Sequence, residues 1–167
     1  DLDPEVALPY RELANLYEFA YEDTKMAEEV LKNGLAKTDE DTLLLQELGE
    51  LYERNKEYDK ARICYTKASE KAPEDPEALI SLAYLLKEEE KISEFFSYID
   101  EMHEQFKDNS EFLMNAGKII WETATERELD ETYLKQALSY MEEGIRKTPF
   151  HAEEALELYT GLIEDTP

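Results

Sequence analysis

The sequence predicts an all-α protein made of consecutive helix-turn-helix hairpins. Three observations lead to this prediction. Residues 42–75 contain two amphipathic helices joined by a short polar turn, the same pattern recurs along most of the 167-residue chain, and only five glycines occur in it. Since glycine destabilises helix interiors, its scarcity suits a chain that is helical almost throughout.

The clearest hairpin lies within residues 42–75. Small and apolar residues recur there at helical spacing, at Leu45, Leu48, Gly49, Tyr52, Ala61, Tyr65 and Ala68. A polar turn around Asn55 separates the two helices, and Pro73 ends the second one because proline cannot continue a helix. Gly49 and Ala61 have small side chains, so we expect the two helix axes to approach closely where these residues meet.

The spacing of these residues, together with Pro73, resembles the signature of the tetratricopeptide repeat, a two-helix unit of about 34 residues. Leu45 stands where that signature has tryptophan. The resemblance implies a right-handed superhelical solenoid. It also implies that the first helix of each repeat lines a concave groove, in which a peptide or a helix of another protein binds.

The pattern recurs upstream and downstream at intervals of about 34 residues. We place four repeats at 7–41, 42–75, 76–109 and 110–151, followed by a terminal helix at 152–165, and we treat 1–167 as a single domain. One residue is inserted at the turn of the first repeat, and the fourth has a turn longer by eight residues, at about 123–131. One hairpin cannot bury its apolar face alone, so about three or more must stack for stability.

The second helix of the third repeat departs from the pattern. Phe95, Ile99 and Met102 stand where alanine, an aromatic residue and alanine are expected. We interpret these bulky residues as a repacked core. The alternative is a surface for self-association or for a partner around Phe95 and Phe96, which requires part of that helix face to be exposed.

The charge of the chain narrows the class of partner. There are 42 acidic and 18 basic residues, and the net charge is −24. This disfavours nucleic acid and anionic membranes, because both are bound by clustered lysine and arginine. The predicted groove is no more acidic than the chain as a whole, but long-range attraction still gives a modest preference for a basic protein or peptide.

We predict the binding surface by carrying the groove positions of the family onto this sequence. The resulting partner-binding positions are Arg11, Asn15, Phe19, Glu50, Arg54, Ile80, Tyr84, Lys87, Met114, Lys118 and Trp121. Four of them form an apolar stripe across the third and fourth repeats, namely Ile80, Tyr84, Met114 and Trp121. These side chains are either anchors for a partner or core residues between repeats. Trp121, the only tryptophan, is the preferred anchor.

One known class of ligand of this family is not expected. The acidic C-terminal tail of heat-shock chaperones is held by lysine, arginine and asparagine side chains at fixed positions of three consecutive repeats. Arg11 and Asn15 fit two of these positions, but Glu47 stands where asparagine is required. Glu77 and Ser81 stand where lysine and arginine belong. A carboxylate tail would therefore meet glutamates.

The residues give little support for catalysis or for a bound cofactor. The two histidines, His103 and His151, belong to different repeats, and we expect Cys64 to be a semi-buried packing residue. No phosphate-binding glycine loop, nucleophile elbow or HExxH motif occurs. The acidic runs lack the glycine-bearing loop of a calcium site. We therefore predict that the protein is not an enzyme and holds no cofactor or metal.

Cysteine content and chain ends bear on location and assembly. A single cysteine cannot form an internal disulfide, which favours the cytoplasm but leaves a periplasmic or secreted location open. No segment approaches the roughly 20 apolar residues of a membrane span, so we expect no membrane insertion. The start at Asp1 suggests a piece of a longer protein or a mature form. The oligomeric state stays open, and a structural role through self-association of solenoids or an accessory role within a larger protein are alternatives to a binding module.

Overall fold

The computed structural model describes residues 6–147, which form eight α-helices in four helix-turn-helix hairpins. The hairpins are α1 (Ala7–Asn15) with α2 (Thr24–Lys37), α3 (Thr42–Arg54) with α4 (Tyr58–Lys71), α5 (Glu77–Glu88) with α6 (Ile92–Phe106), and α7 (Ser110–Glu126) with α8 (Glu131–Lys147). Each hairpin lies within one predicted repeat, and the prediction of an all-α fold is confirmed. The predicted terminal helix at 152–165 lies outside the described residues.

Short polar side chains fix where several helices begin. Asp41 accepts a hydrogen bond from the backbone N–H two residues further on, at 2.9 Å. Asp23 and Asn109 accept one from the N–H three residues further on, at 3.0 and 2.9 Å. These caps satisfy donors that the first turn of a helix leaves unpaired. They set the starts of α2, α3 and α7.

The turn inside each hairpin contains one residue with a left-handed backbone. These residues are Glu22, Lys56, Glu90 and Glu128, with φ of 54°, 60°, 61° and 50°. At the end of a helix, a left-handed backbone conformation is usually adopted by glycine. No glycine has this conformation within residues 6–147. The same geometry therefore recurs at equivalent positions, and the four turns are built alike.

The two insertions noted in the sequence are absorbed by helices. In the first repeat, α1 continues into a π-helical turn at Leu16–Ala20, which accommodates one residue more than a regular α-helix does. In the fourth repeat, the prediction of a long turn at 123–131 is wrong. The helix α7 extends to Glu126 and α8 begins at Glu131, so the loop between them is only 127–130. The added residues lengthen both helices by about one turn each.

The chain divides into two compact units, with the boundary between Leu85 and Leu86. In the first unit one apolar core is formed largely by α1 to α4. Its members include Tyr10, Ala14, Leu31, Leu44, Leu48, Leu51, Tyr52 and Tyr65. The close approach expected at Gly49 is present: a Cβ at this position would lie 2.8 Å from Cδ1 of the buried Tyr65 ring.

In the second unit, α7 and α8 pack closely where Gly117 faces Met141, since a Cβ on this glycine would lie 2.6 Å from the methionine Cγ. Aromatic rings connect α6 to both helices. The ring of Phe96 lies 4.1 Å from that of Tyr133 on α8, measured between centroids. Phe95, Phe96, Ile99 and Phe106 are all buried, which agrees with the interpretation of α6 as a repacked core.

None of the described helices combines the length and the apolar character that crossing a lipid bilayer requires.

Candidate functional site

Five of the predicted binding residues lie on the first two hairpins of the first unit. Arg11 and Asn15 are on α1, Phe19 is on the π-helical turn that continues it, and Glu50 and Arg54 are on α3. Arg54 joins the two hairpins. Its guanidinium donates to both carboxylate oxygens of Glu18, with Nε–Oε1 and Nη2–Oε2 distances of 2.8 Å, and its Nη1 lies 3.2 Å from Glu50 Oε2.

The same guanidinium supports an exposed aromatic ring. Its carbon lies 5.4 Å from the centroid of the Phe19 ring, within the range of a cation–π contact. Phe19 nevertheless exposes 66% of its surface. An exposed large aromatic side chain that is held from one side leaves its remaining surface available to another molecule.

A glutamate that the sequence analysis did not assign to the binding surface lies beside these residues. Glu47 Oε1 accepts a hydrogen bond from Asn15 Nδ2 at 3.4 Å. Burial, and then the negative charge of Glu50, raise the pKa of the Glu47 carboxyl, while Asn15 and the cations of Arg11 and Arg54 lower it. The net direction is upward. This part of the surface is therefore acidic and only partly compensated by its two arginines.

Arg11 is held at the edge of this surface. Its Nη2 lies 2.9 Å from Glu12 Oε1 on the same helix. Its Nε is buried and has no hydrogen-bond partner. Both arginines of α1 and α3 are thus engaged by glutamates of this chain, so neither is presented as a free cation.

The predicted residues of the third and fourth repeats lie in different surroundings. Lys87 is buried and pairs with Glu126 at 3.1 Å and Glu122 at 3.8 Å, in the second unit. Lys118 is exposed and lies 3.9 Å from Glu122. The buried Lys87 is therefore already paired with glutamates of α7, which are themselves partly exposed.

The predicted apolar stripe is largely buried. Trp121 exposes 9% of its surface and Ile80 is also buried, while Tyr84 and Met114 are half-buried. Such burial favours the core alternative for Trp121 and Ile80 over the anchor alternative. Large exposed apolar side chains lie elsewhere. Leu16, Phe19 and Tyr21 lie on or beside the π-helical turn, and of these three only Phe19 was predicted; Val6, Leu8 and Ile63 are also exposed.

Among residues 6–147, the reactive side chains Cys64 and His103 lie in packed surroundings. Burial raises the pKa of the Cys64 thiol to about 11, so it stays protonated and weakly nucleophilic at neutral pH. His103 stacks on Tyr140 with 4.4 Å between ring centroids, and His151 lies outside the described residues. Within residues 6–147, no three histidine, cysteine, aspartate or glutamate side chains are grouped so that they could hold a metal ion.

Comparison with known proteins finds a similar repeat in one segment of the chain. The family model described as tetratricopeptide repeat matches residues 44–85. Among solved structures, the chain is similar to the crystal structure of YrrB, described as a TPR protein with an unusual peptide-binding site. The TM-score is 0.53 with 23% sequence identity, over 95% of this chain and 76% of YrrB. At this identity the similarity concerns the fold.

A second solved structure is a putative protein binding protein from Bacteroides ovatus ATCC 8483. It has a TM-score of 0.47 and 15% identity, over 96% of this chain and 98% of that one, which is too distant to support an argument. No curated protein matches the sequence.

Proposed function

We propose that this chain is a non-catalytic module that binds a peptide or a helix of a partner protein. The tetratricopeptide repeat model matches residues 44–85, and the fold is similar to that of a solved TPR protein. The surface used is that of the first helices of successive hairpins. YrrB, which shares the fold, is described as having a peptide-binding site. That description supports a peptide as the ligand class.

The observation that carries the proposal is the shared surface of α1 and α3. Arg54 connects these two helices through Glu18, Asn15 connects them through Glu47, and Phe19 stands exposed beside them. A polar surface held in place by such cross-helix bonds, with an exposed aromatic side chain next to it, has the composition of a protein-binding site.

The same surface favours a basic partner over an acidic one. Two basic and five acidic residues lie on α1, its π-helical turn and α3, a net charge of 2 − 5 = −3. The acidic tail of heat-shock chaperones would meet Glu47 and Glu50 there. Nucleic acid is disfavoured for the same reason, because phosphates need unpaired lysine or arginine side chains.

The alternative roles receive less support. Self-association through Phe95 and Phe96 needs that face to be exposed, and both side chains are buried in the second unit. An accessory role within a larger protein is compatible with a binding surface and is one form of the proposed function. We therefore keep partner capture as the function and the cytoplasm as the expected location.

Photo-crosslinking tests the proposal. A photoreactive amino acid replaces Asn15 on α1 in one variant and Ile63 on α4 in another, and each is irradiated in an extract of the source cells. We expect covalent capture of a partner protein from position 15 and little from position 63, because Ile63 lies on a second helix. Equal capture from both positions, or capture from position 63 alone, contradicts a first-helix binding surface.

A further inference from the structure

The π-helical turn of the first hairpin exposes large apolar side chains. We call Leu16, Phe19 and Tyr21 the turn patch; they expose 49%, 66% and 68% of their surfaces. Leu16 and Phe19 both lie within the π-helical turn Leu16–Ala20. Tyr21 packs beside Tyr17, with ring centroids 5.9 Å apart. Exposed apolar groups of this size gathered on one turn are typical of interaction sites.

The first two hairpins differ at the end of their first helices. The second hairpin has no insertion, and its α3 ends as a regular helix at Arg54. The position of Phe19 in the first repeat corresponds to Arg54 in the second, 35 residues later. π-helical turns arise from single inserted residues and are frequent at functional sites. The aromatic ring at this position, and the π-helical turn that carries it, therefore distinguish the first hairpin from the second.

The patch has a rigid support. Arg54 lies against the Phe19 ring and is itself held by two 2.8 Å bonds to Glu18 and one 3.2 Å bond to Glu50. A paired guanidinium loses little freedom when a ligand arrives, so an exposed ring resting on it is pre-organised for binding. The support comes from α3, hence the surface is shared by both hairpins of the first unit.

The charge around the patch favours a basic partner. The helices that carry and support it have a net charge of −3, and both of their arginines bind glutamates of the chain. Glu47 and Glu50 repel each other, so a cation placed near them would relieve that repulsion. The net charge of −24 attracts such a partner from a distance.

We propose that the turn patch is a docking surface for a peptide of another protein in which an aromatic or aliphatic side chain stands next to lysine or arginine. The apolar side chain packs on Phe19 and Leu16, and the cation binds at Glu47 and Glu50. This proposal rests on the proposed function and adds to it the anchor position and the chemistry of the ligand.

Binding of synthetic peptides to the full chain, measured by fluorescence anisotropy, tests the proposal. Three peptide pools are compared: one with alternating apolar and basic residues, one with the basic residues replaced by glutamate, and one with the apolar residues replaced by serine. We expect only the first pool to bind, and more weakly as salt is added. Equal binding of the glutamate pool, or of the serine pool, overturns the proposed ligand chemistry, as does the absence of binding by all three.

Variants locate the binding site. Phe19→Ala and Leu16→Ala should each weaken binding of the first pool, the former by about tenfold or more, as for an aromatic anchor. Ile63→Ala is the matched control, because this residue is 60% exposed but lies on α4, and it should leave affinity unchanged. Circular dichroism checks that all three variants stay folded, which their exposure leads us to expect.

The outcomes separate the two proposals. If peptides bind but Phe19→Ala and Leu16→Ala have no more effect than Ile63→Ala, the turn patch is not the docking surface, while crosslinking from position 15 would still support first-helix binding. If Phe19→Ala unfolds the chain, Phe19→Leu keeps an apolar side chain without the ring and tests the anchor in its place. Unchanged affinity in that variant overturns the aromatic anchor.

Discussion

Leu16 and Leu51 occupy equivalent positions in the first and second hairpins, yet the structure exposes 49% of Leu16 and 1% of Leu51. The difference is one of neighbours. Leu51, on α3, belongs to the core that α3 forms with the first hairpin, whereas α1 is the first of the described helices. In a repeat protein the same residue is therefore core or surface according to whether another repeat is stacked on it.

A second difference concerns the contact inside each hairpin. The first hairpin has Ala14 on its first helix and Leu31 on its second, and the second hairpin has Gly49 and Tyr65 at the equivalent positions. Ala14, Leu31 and Tyr65 belong to one core, and Gly49 is buried beside it. The glycine leaves room for the larger ring, since a Cβ there would overlap it. The second hairpin thus combines the smallest residue on one helix with a large ring on the other.

The largest change in the free energy of unfolding should come from truncating the buried leucine of the first comparison. Leu51→Ala should lower the free energy of unfolding by about 3 kcal/mol, because it leaves a cavity in the core. Leu16→Ala should change it by no more than about 0.5 kcal/mol, because the side chain is half in solvent. Urea unfolding followed by circular dichroism measures both. A similar loss in the two variants would show that Leu16 is covered in solution.

Gly49→Ala tests the second difference, the contact inside each hairpin, and should lower the free energy of unfolding by an intermediate amount. The added methyl would press on the Tyr65 ring, which is buried and whose hydroxyl donates to Glu53 Oε2 at 2.8 Å. We expect a loss of about 1–2 kcal/mol, even though alanine favours a helix over glycine by about 1 kcal/mol.

A double-mutant cycle provides the control for this prediction. Tyr65→Leu reproduces the side chain that the first hairpin has at the equivalent position, and with it the methyl at position 49 should fit. The two substitutions should therefore couple by about 1 kcal/mol or more in urea unfolding. Additive effects would show that the clash with Tyr65 is not what makes Gly49 necessary.

The sequence was sufficient to predict the fold because its apolar residues repeat with both the helix and the hairpin period. Leu45, Leu48 and Tyr52 mark one helix, and the recurrence of this pattern gives the number of hairpins. The shape of the insertions was harder to predict. Near position 123 the apolar stripe continues through Trp121 and Ala124, a helical signal that outweighs the extra length, so the segment is helix and not turn.

Predicting the binding surface was less successful, for physical reasons. Large apolar side chains are suited both to cores and to anchors, so the burial of Trp121 depends on packing that its sequence position does not reveal. Glu47 was not assigned because its hydrogen bond to Asn15 joins two different helices. The single-residue insertion was visible in the sequence, and it was the available signal for the turn patch.

The smallest expected changes in stability concern two glutamates of the first unit, whose pKa values shift in opposite directions. Burial, and then Glu50, raise the pKa of Glu47, so its ionisation opposes folding and stability is lost as pH rises through the folded-state value. The hydrogen bond from Lys32 lowers the pKa of Glu28, so its contribution is present near neutral pH and is lost on acidification.

Glutamine substitutions test these signs, because glutamine has nearly the same shape but no charge. At pH 7, Glu47→Gln should raise the melting temperature and Glu28→Gln should lower it. The gain from Glu47→Gln should disappear once the pH falls below the ordinary glutamate pKa of 4.5, and the loss from Glu28→Gln should shrink over acidic pH. If Glu47→Gln were destabilising at neutral pH, its carboxylate would be compensated by Arg11 and Arg54, and the acidic surface that should attract a basic peptide would already be neutralised within the chain.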